Sequence, residues 1–380
     1  MNIPFNRPSI TKREIAEVVA TLESGWITTG PRTKRFEEEF ASYCGVKHAV
    51  AVNSCTAAMH LALSAMNLQP GDEVITTPYT FAASAEVILY HGAEPVFVDI
   101  DPATFNIDTR LIEDSITEKT RVLLPVHIAG YPAEMGSIIQ IAERHQLKVL
   151  EDAAHATESL WRDRKVGAIG DAAAFSFYAT KNLTTSEGGM LTTNDDEIAA
   201  TARMLSLHGM SRDAWKRYHS GGSWYYEIIA QGYKYNMTDI QAALGLVQLS
   251  RLGEMRQQRL RIVQRFNELL GKHSEFLLPP DASDITHAWH LYLLRVKPGT
   301  TARTRDQIIE ELIKVGISPS VHFIPLHLMP LYQERFGYKQ GDFPMAEQAF
   351  EGEISLPLYP DLQEEEVDYI CKQLIRITCG

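Results

Sequence analysis

From Lys34 to about Met204, short apolar runs alternate with stretches of helical period. "HAVAV" (48–52) reads as a strand, and "TAAMHLALSAM" (56–66) follows with Ala58, Leu61, Ala62 and Ala65 on one helical face. "DEVITTP" (72–78) is a further strand, leading into a helix through Ala85 and Leu89. "PVFVDI" (95–100), "RVLLPVHI" (121–128) and "KVLED" (148–152) read as buried strands, the last two separated by the helical "EMGSIIQIAERHQ". Strand–helix alternation with almost unbroken apolar strands predicts a mostly parallel sheet covered on both faces. "DAAAFSFY" (171–178) and "GGMLTT" (188–193) follow with little helix between them, so the sheet is expected to be mixed.

Beyond Met204 the pattern changes. The stretch from Asp239 to Lys272 reads as one long helical region, with a break allowed at Leu252-Gly253. "HAWHLYLLRV" (287–296) predicts a strand, "RDQIIEELIKVG" (305–316) a helix, and "EEEVDYICKQLIRI" (364–377) a terminal helix with Val367, Ile370 and Leu374 on one face. The fold class is therefore α/β: a large domain over residues 1–250 and a smaller α+β domain over 251–380, with the N-terminal segment expected to pack on the smaller one.

Composition narrows the function classes. The 380 residues are 45% hydrophobic and 22% charged, which is ordinary globular usage. A net charge of −12 argues against nucleic-acid or anionic-membrane partners. Cys44, Cys55, Cys371 and Cys379 lack CxxC spacing and suggest reduced thiols rather than a disulfide framework or zinc ribbon. Neither a signal-peptide core nor a bilayer-length apolar run is present, so a soluble cytoplasmic protein is expected.

Several motifs fail. No GxGxxG follows a strand, which disfavours a nicotinamide-dependent oxidoreductase, and there is no GxSxG elbow. "GWITTGPR" has glycines at P-loop spacing but ends in Pro31-Arg32. His322 and His327 lack the companions and spacing of a zinc helix, and no metal site is expected.

What accumulates is a series of polar groups at strand ends. "VNSCTAAMH" (52–60) ends a strand and opens a helix, so Ser54 or Thr56 is either a simple cap or part of an anion seat. "VLEDAAHA" (149–156) leaves Asp152 at the end of a central strand, as a helix cap or facing a ligand crevice, with Glu151 pointing to the opposite face. "SFYATKNLTTSEGGML" (176–191) then sets Lys181 before a glycine pair. Anion seat, strand-end aspartate and lysine, in that order, are what pyridoxal phosphate chemistry needs: a helix N-terminus for the phosphate, a carboxylate for the ring nitrogen and an amine for the aldehyde.

With these strings the chain resembles the DegT/DnrJ/EryC1/StrS nucleotide-sugar aminotransferases of pyridoxal-phosphate fold type I. The resemblance runs nearly full length, through "GWITTGP", "NSCTAA", "GDEVITTPYTF", "PVFVDID", "EDAAHA", "SFYATKNLTTSEGG", "GYKYNMTDIQAA", "HAWHLYLLRV", "HFIPLH" and "SLPLYP". "GYKYNMTDI" and "HAWHL" are most similar to the branch making UDP-4-amino-4-deoxy-L-arabinose for lipid A. The resemblance implies that Lys181 is the Schiff-base lysine and proton shuttle, that Asp152 bonds the pyridine nitrogen, and that His155 lies near the ring hydroxyl. It puts Phe81 on the cofactor ring and gives the phosphate to Thr56, Ala57 and Ser176. Lys234 or Asn236 would reach the neighbouring subunit's site in an obligatory homodimer, and Trp26, Thr28, Thr29, His322 and His327 would lie near the nucleotide-sugar. The implied reaction is transamination of a UDP-linked 4-ketosugar with L-glutamate, for lipopolysaccharide, lipid A or another surface glycan. The alternatives are a 3-ketosugar or a non-catalytic binding relative. Departures from the family pattern are Cys55 and Ser186 at positions where small residues are common, and "YKYNM" where many relatives have "YNYRM".

Overall fold

The computed structural model describes residues 1–211 and 225–379. Its central sheet has seven strands: β1 (His48–Val52), β2 (Glu73–Thr76), β3 (Glu94–Phe97), β4 (Thr120–Leu123), β5 (Lys148–Asp152), β6 (Ala172–Ser176) and β7 (Gly189–Thr193), in the spatial order β1-β7-β6-β5-β4-β2-β3. Strand β7 runs antiparallel to both neighbours and the other pairings are parallel, so the sheet is mixed as expected. The carboxyl ends of the parallel strands thus share one edge with the amino end of β7, and Gly189 pairs there with Val52 and Ser176. Ligands of open α/β sheets bind outside such an edge.

The helices are α1 (Lys12–Glu23), α2 (Pro31–Cys44), α3 (Cys55–Ala65), α4 (Ala83–Leu89), α5 (Met135–His145), α6 (Asp196–Leu205), α7 (Asp239–Leu270), α8 (Arg305–Lys314), α9 (Pro330–Phe336), α10 (Pro344–Gly352) and α11 (Glu364–Cys379). Side-chain alternation along the strands sorts the core into two layers. Val50, Val52, Leu150, Ala172 and Ala174 face Met59, Leu61 and Leu63 of α3 and Ile198 and Ala202 of α6. Ala49, Ala51, Ala173 and Phe175 face Phe36 and Phe40 of α2 and Ala242 and Leu246 of α7. Toward β2, the second layer continues as Ile75, Leu123 and Val149 against Ile138 and Ile141 of α5.

A separate antiparallel sheet joins β8 (Phe276–Leu277), β9 (Tyr292–Val296) and β10 (Glu353–Leu356). Its core unites Tyr292, Leu294 and Leu356 with Ile308 and Leu312 of α8, Ile370 and Leu374 of α11, and Ile262 and Phe266 of α7. Ile3 joins that core, its N–H donating to the Gly316 carbonyl at 2.8 Å. Helix α7 runs unbroken past Leu252-Gly253. A helical glycine costs about 1 kcal/mol, and the burial of Leu252 and Met255 beside it offsets that.

Two expected strands are shorter than the hydrophobic run suggested. After β4, residues 124–127 keep only isolated hydrogen bonds to β2 and β5 before a turn in which Ala129 (φ 56°) and Gly130 (φ 91°) are left-handed. Residues 287–291 are not strand either: Trp289 is left-handed (φ 49°), and Ala288 and His290 donate their N–H groups to Gly130 and Ala129 instead of to a strand. The two irregular segments hold each other, and a Cβ on Gly130 would lie 2.7 Å from the His155 carbonyl oxygen. No helix among the described residues is long and apolar enough to cross a membrane.

Candidate active site

Asp152 closes β5 on the same face as Leu150, the face covered by α3, while Glu151 points through the opposite face. Glu151 is sealed there, where its carboxylate accepts from the N–H groups of Ile169 (3.1 Å) and Gly170 (2.9 Å) and meets His127 Nε2 at 3.1 Å. That leaves Asp152 as the carboxylate at the strand-end edge. Its Oδ1 accepts from the Ala154 N–H (3.1 Å), closing a turn instead of capping a helix, since residues 153–159 form none, and its Oδ2 accepts from the Ser84 hydroxyl (2.7 Å). Ser84 is buried beside Thr80 (2.8 Å), so the carboxylate orientation is fixed from α4. Ser84 carried no signal in the sequence, being one small polar residue in an amphipathic helix.

Lys181 follows β6 and lies partly buried among Asp152, Cys55, His155, His290 and His322. Burial pushes its amine from the ordinary 10.5 down to about 8, against the opposing pull of Cys55 and Asp152. His155 is held well below the usual histidine range, first by burial and then by the Lys181 and His322 charges. Its Nδ1 accepts from the Ala129 N–H (3.2 Å), and its ring lies 4.4 Å from that of His290 and stacks on Phe323 at 6.0 Å. Burial, then the Lys181 charge, lowers His322 to about 4. Its Nδ1 meets Ser355 Oγ at 2.8 Å, and Ser355 donates to Glu353 at 2.5 Å. Burial pushes the Glu353 carboxyl up to about 8. Phe81, near Phe323 (6.1 Å), is 63% exposed, an unusual degree for a phenyl ring in a folded chain.

Helix α3 points its N-terminus at the same edge. Ser54 is the cap, accepting the Ala57 N–H at 3.1 Å, so the capping reading holds for that donor and Ala57 is already engaged. The N–H groups of Cys55 and Thr56 lie in the first turn, where no preceding helical carbonyl is available. The Ser176 hydroxyl lies at the adjacent end of β6. Gly189 allows this loop to seat on β7: a Cβ there would lie 2.4 Å from the Ser54 carbonyl carbon and 2.6 Å from the Cys55 nitrogen. The Cys55 thiol turns into the core, donating to the Ala174 carbonyl at 3.4 Å. Ser186 has φ 72°, which explains why glycine suits that position. A buried amine, a strand-end carboxylate, and hydroxyl and N–H donors at a helix N-terminus fit pyridoxal phosphate in their chemistry.

Two distant segments meet beside α3. The Asn53 N–H donates to the Tyr235 carbonyl (2.7 Å), and Asn236 bridges to Val52. Exposed Lys234 donates to Asn236 Oδ1 (2.6 Å), Asn236 to Thr29 Oγ1 (2.7 Å), and Thr29 in turn to the Met237 carbonyl (2.5 Å). The Thr29 hydrogen is therefore committed to backbone, and Thr29 acts as a support for Asn236 rather than as a free donor. Thr28 stays exposed, and its carbonyl accepts the Asp239 N–H at 3.1 Å. Asp239 also caps α2 through the N–H groups of Arg32 (3.0 Å) and Thr33 (2.9 Å), and the Arg32 side chain pairs with Glu17 (2.9 Å). Neither that helix end nor Arg32 is open to an anion. The Trp26 indole lies over Gly30 and donates to the Thr29 carbonyl at 3.1 Å. His327 is fully enclosed, its Nε2 on Glu347 (2.8 Å) and its ring against Phe343 (4.8 Å), and occupies a core position instead of lining the open edge.

The sequence matches the DegT/DnrJ/EryC1/StrS aminotransferase family over residues 8–375. It is 53% identical to the uncharacterized protein MJ1066 of Methanocaldococcus jannaschii, over 96% of this chain and 95% of that one. Against the spore coat polysaccharide biosynthesis protein SpsC of Bacillus subtilis it is 50% identical, covering 100% of this chain and 97% of the relative. The structure aligns with Spr1654 of Streptococcus pneumoniae, described as a sugar aminotransferase and solved in a PMP form, at TM-score 0.94 and 40% identity over 99% of both chains. The PLP form of the same protein aligns at TM-score 0.92 and 39% identity, over 99% of this chain and 98% of that one.

Proposed function

From the premise that this chain belongs to the DegT/DnrJ/EryC1/StrS aminotransferase family and works with pyridoxal phosphate, we propose that it moves the amino group of L-glutamate onto the keto carbon of a UDP-linked 4-ketosugar. The product is an aminosugar nucleotide for a surface polysaccharide, a reading supported by the resemblance of "GYKYNMTDI" and "HAWHL" and by the likeness to SpsC. When bound, pyridoxal phosphate supplies an aldehyde for the amine and a ring that accepts the electron pair left by proton removal.

The chain's own residues do the rest. Lys181 would hold the aldehyde carbon of the bound cofactor. Its amine, held near pKa 8 by burial, would serve as the base that takes the donor's α-proton and the acid that returns it, close to the ideal basicity for neutral pH. Asp152, fixed by Ser84 and the Ala154 N–H, would keep the ring nitrogen protonated. His155 would hold the ring hydroxyl and Phe81 would cover a ring face. The α3 N-terminus with Thr56 and Ser176 takes the phosphate, and Ala57 supports it through Ser54. Trp26, Thr28 and His322 line the sugar-nucleotide side, with Thr29 setting the position of Asn236. The working unit is a homodimer in which Lys234 or Asn236 reaches the other subunit's phosphate region.

The observation that carries this reading is the convergence of the Lys181 amine, the Asp152 carboxylate and the α3 N-terminus at one edge of the sheet. Incubating the purified protein with glutamate and a panel of UDP-, dTDP- and GDP-linked 3- and 4-ketosugars, with 2-oxoglutarate release as readout, tests it. Release with a UDP-linked 4-ketosugar is expected, and release with none of the panel overturns the reading.

A further inference from the structure

His290 lies in the irregular segment 287–291, and among the described residues it is the side chain in hydrogen-bond reach of the Lys181 amine, with Nε2 3.5 Å from Nζ. We propose that His290 is a positioning residue for the reaction: held in one tautomer by Asn182, it offers the bare Nε2 lone pair to Lys181 and aims that amine while it transfers its proton. The inference rests on the transamination reading above for its purpose, and on geometry alone for the tautomer.

The tautomer follows from the donors and acceptors around Asn182. Asn182 Nδ2 has two hydrogens, and its partners are the Ala288 carbonyl (2.8 Å) and Glu158 Oε2 (3.0 Å). The first can only accept, and Glu158 Oε2 also accepts from Arg259 at 3.2 Å. With both amide hydrogens engaged there, the atom facing His290 Nδ1 at 3.2 Å is Asn182 Oδ1, which has only lone pairs to give. Nδ1 therefore carries the hydrogen. A neutral imidazole has one, so Nε2 is bare toward Lys181. The ring stays neutral because it is buried and because Lys181, His155, His322 and Arg259 all oppose a further positive charge.

The other groups facing Lys181 do not supply this acceptor. His155 uses its Nδ1 lone pair for the Ala129 N–H, which leaves hydrogen on Nε2. His322 and Asp152 make no hydrogen bond to the Lys181 amine among the described residues: His322 gives its Nδ1 hydrogen to Ser355, whose own goes to Glu353, and Asp152 accepts from Ser84 and Ala154. The His290 backbone is pinned by its N–H to the Ala129 carbonyl (2.9 Å), so the ring is positioned by a turn that also holds His155. A tetrahedral amine with one N–H given to Nε2 has its lone pair in a restricted direction. Orienting a reacting group in this way contributes to the rate without contact with substrate.

The test uses the full-length protein. In the cofactor-free chain labelled with 15N-histidine, the His290 signals, identified by their loss in His290→Gln, are expected to report a protonated Nδ1 and a bare Nε2; the reverse tautomer overturns the proposal. With cofactor bound, His290→Leu is expected to lower the kcat of the glutamate half-reaction about ten- to hundredfold, the range of one lost hydrogen bond to a charged group, with little change in glutamate KM. His290→Gln keeps an acceptor at the same reach and is expected to restore most of the rate. Titrating the Lys181 amine without cofactor should show its pKa about one unit lower in His290→Leu, since an acceptor favours the charged amine. An unchanged Lys181 titration, or equal loss of rate in Leu and Gln, overturns the proposal. Failure of the transamination reading itself shows differently, as no glutamate turnover in the unsubstituted protein.

Discussion

Lys181 is where the chemistry of the site opposes the stability of the fold, and the opposition is measurable. Burial holds its amine near 8 in the folded chain against an ordinary 10.5. A base with a lowered folded pKa binds fewer protons folded than unfolded, so stability rises with pH between about 8 and 10.5 and is lowest, by a constant amount, below 8. The whole gap corresponds to about 3 kcal/mol at 1.36 kcal/mol per pH unit. Because the residue is only partly buried, screening reduces the expected penalty to about 1–3 kcal/mol. Lys181→Met keeps the apolar stem and removes the charge. Urea or thermal unfolding of the cofactor-free chain at pH 7 should therefore show a higher midpoint for Lys181→Met than for the unsubstituted protein. The difference should shrink from about pH 8 upward and vanish above 10.5, where the amine is neutral in both states. A variant no more stable at pH 7, or a gain independent of pH, would refute the claim that the amine is held out of water at the cost of stability.

Other substitutions probe the supports of the site. Gly189→Ala sets a Cβ 2.4 Å from the Ser54 carbonyl carbon, so pyridoxal phosphate affinity in an absorbance titration should fall at least tenfold; unchanged affinity would mean that the α3 loop does not depend on this close approach. Ser186→Gly relieves a left-handed residue (φ 72°) and should stabilise the chain by up to about 1 kcal/mol in its unfolding midpoint, where a loss would contradict the strain argument. Arg259→Leu leaves Glu158 buried beside Asn182 without its cation, which should cost about 3–5 kcal/mol in unfolding free energy and disturb the glutamate half-reaction through His290. Near-native stability would show that the pair is not required.

How much of this was legible in the sequence depends on where local pattern decides structure. The runs 48–52, 148–152 and 188–193 became β1, β5 and β7 nearly residue for residue, because buried strands need unbroken apolar side chains. The division of labour between Glu151 and Asp152 was readable too, since a two-residue period must send adjacent carboxylates to opposite faces. The strands at 121–128 and 287–296 were overextended, because apolar composition cannot reveal the paired turns at Ala129-Gly130 and Trp289. His290 was hidden by that error: read as one position in a strand, it carried no sign that tertiary hydrogen bonds would turn it toward Lys181. His327 fails in the opposite way: its residue type suits a phosphate, but Glu347, 20 residues on, already engages it inside the core.

The most direct measurement of the account is the covalent address of the cofactor. Pyridoxal phosphate bound to the purified protein, fixed by borohydride reduction and followed by peptide mapping, should leave one phosphopyridoxyl adduct, on Lys181 within "SFYATKNLTTSEGGML". An adduct on another lysine, or none in a protein saturated with cofactor, would contradict it.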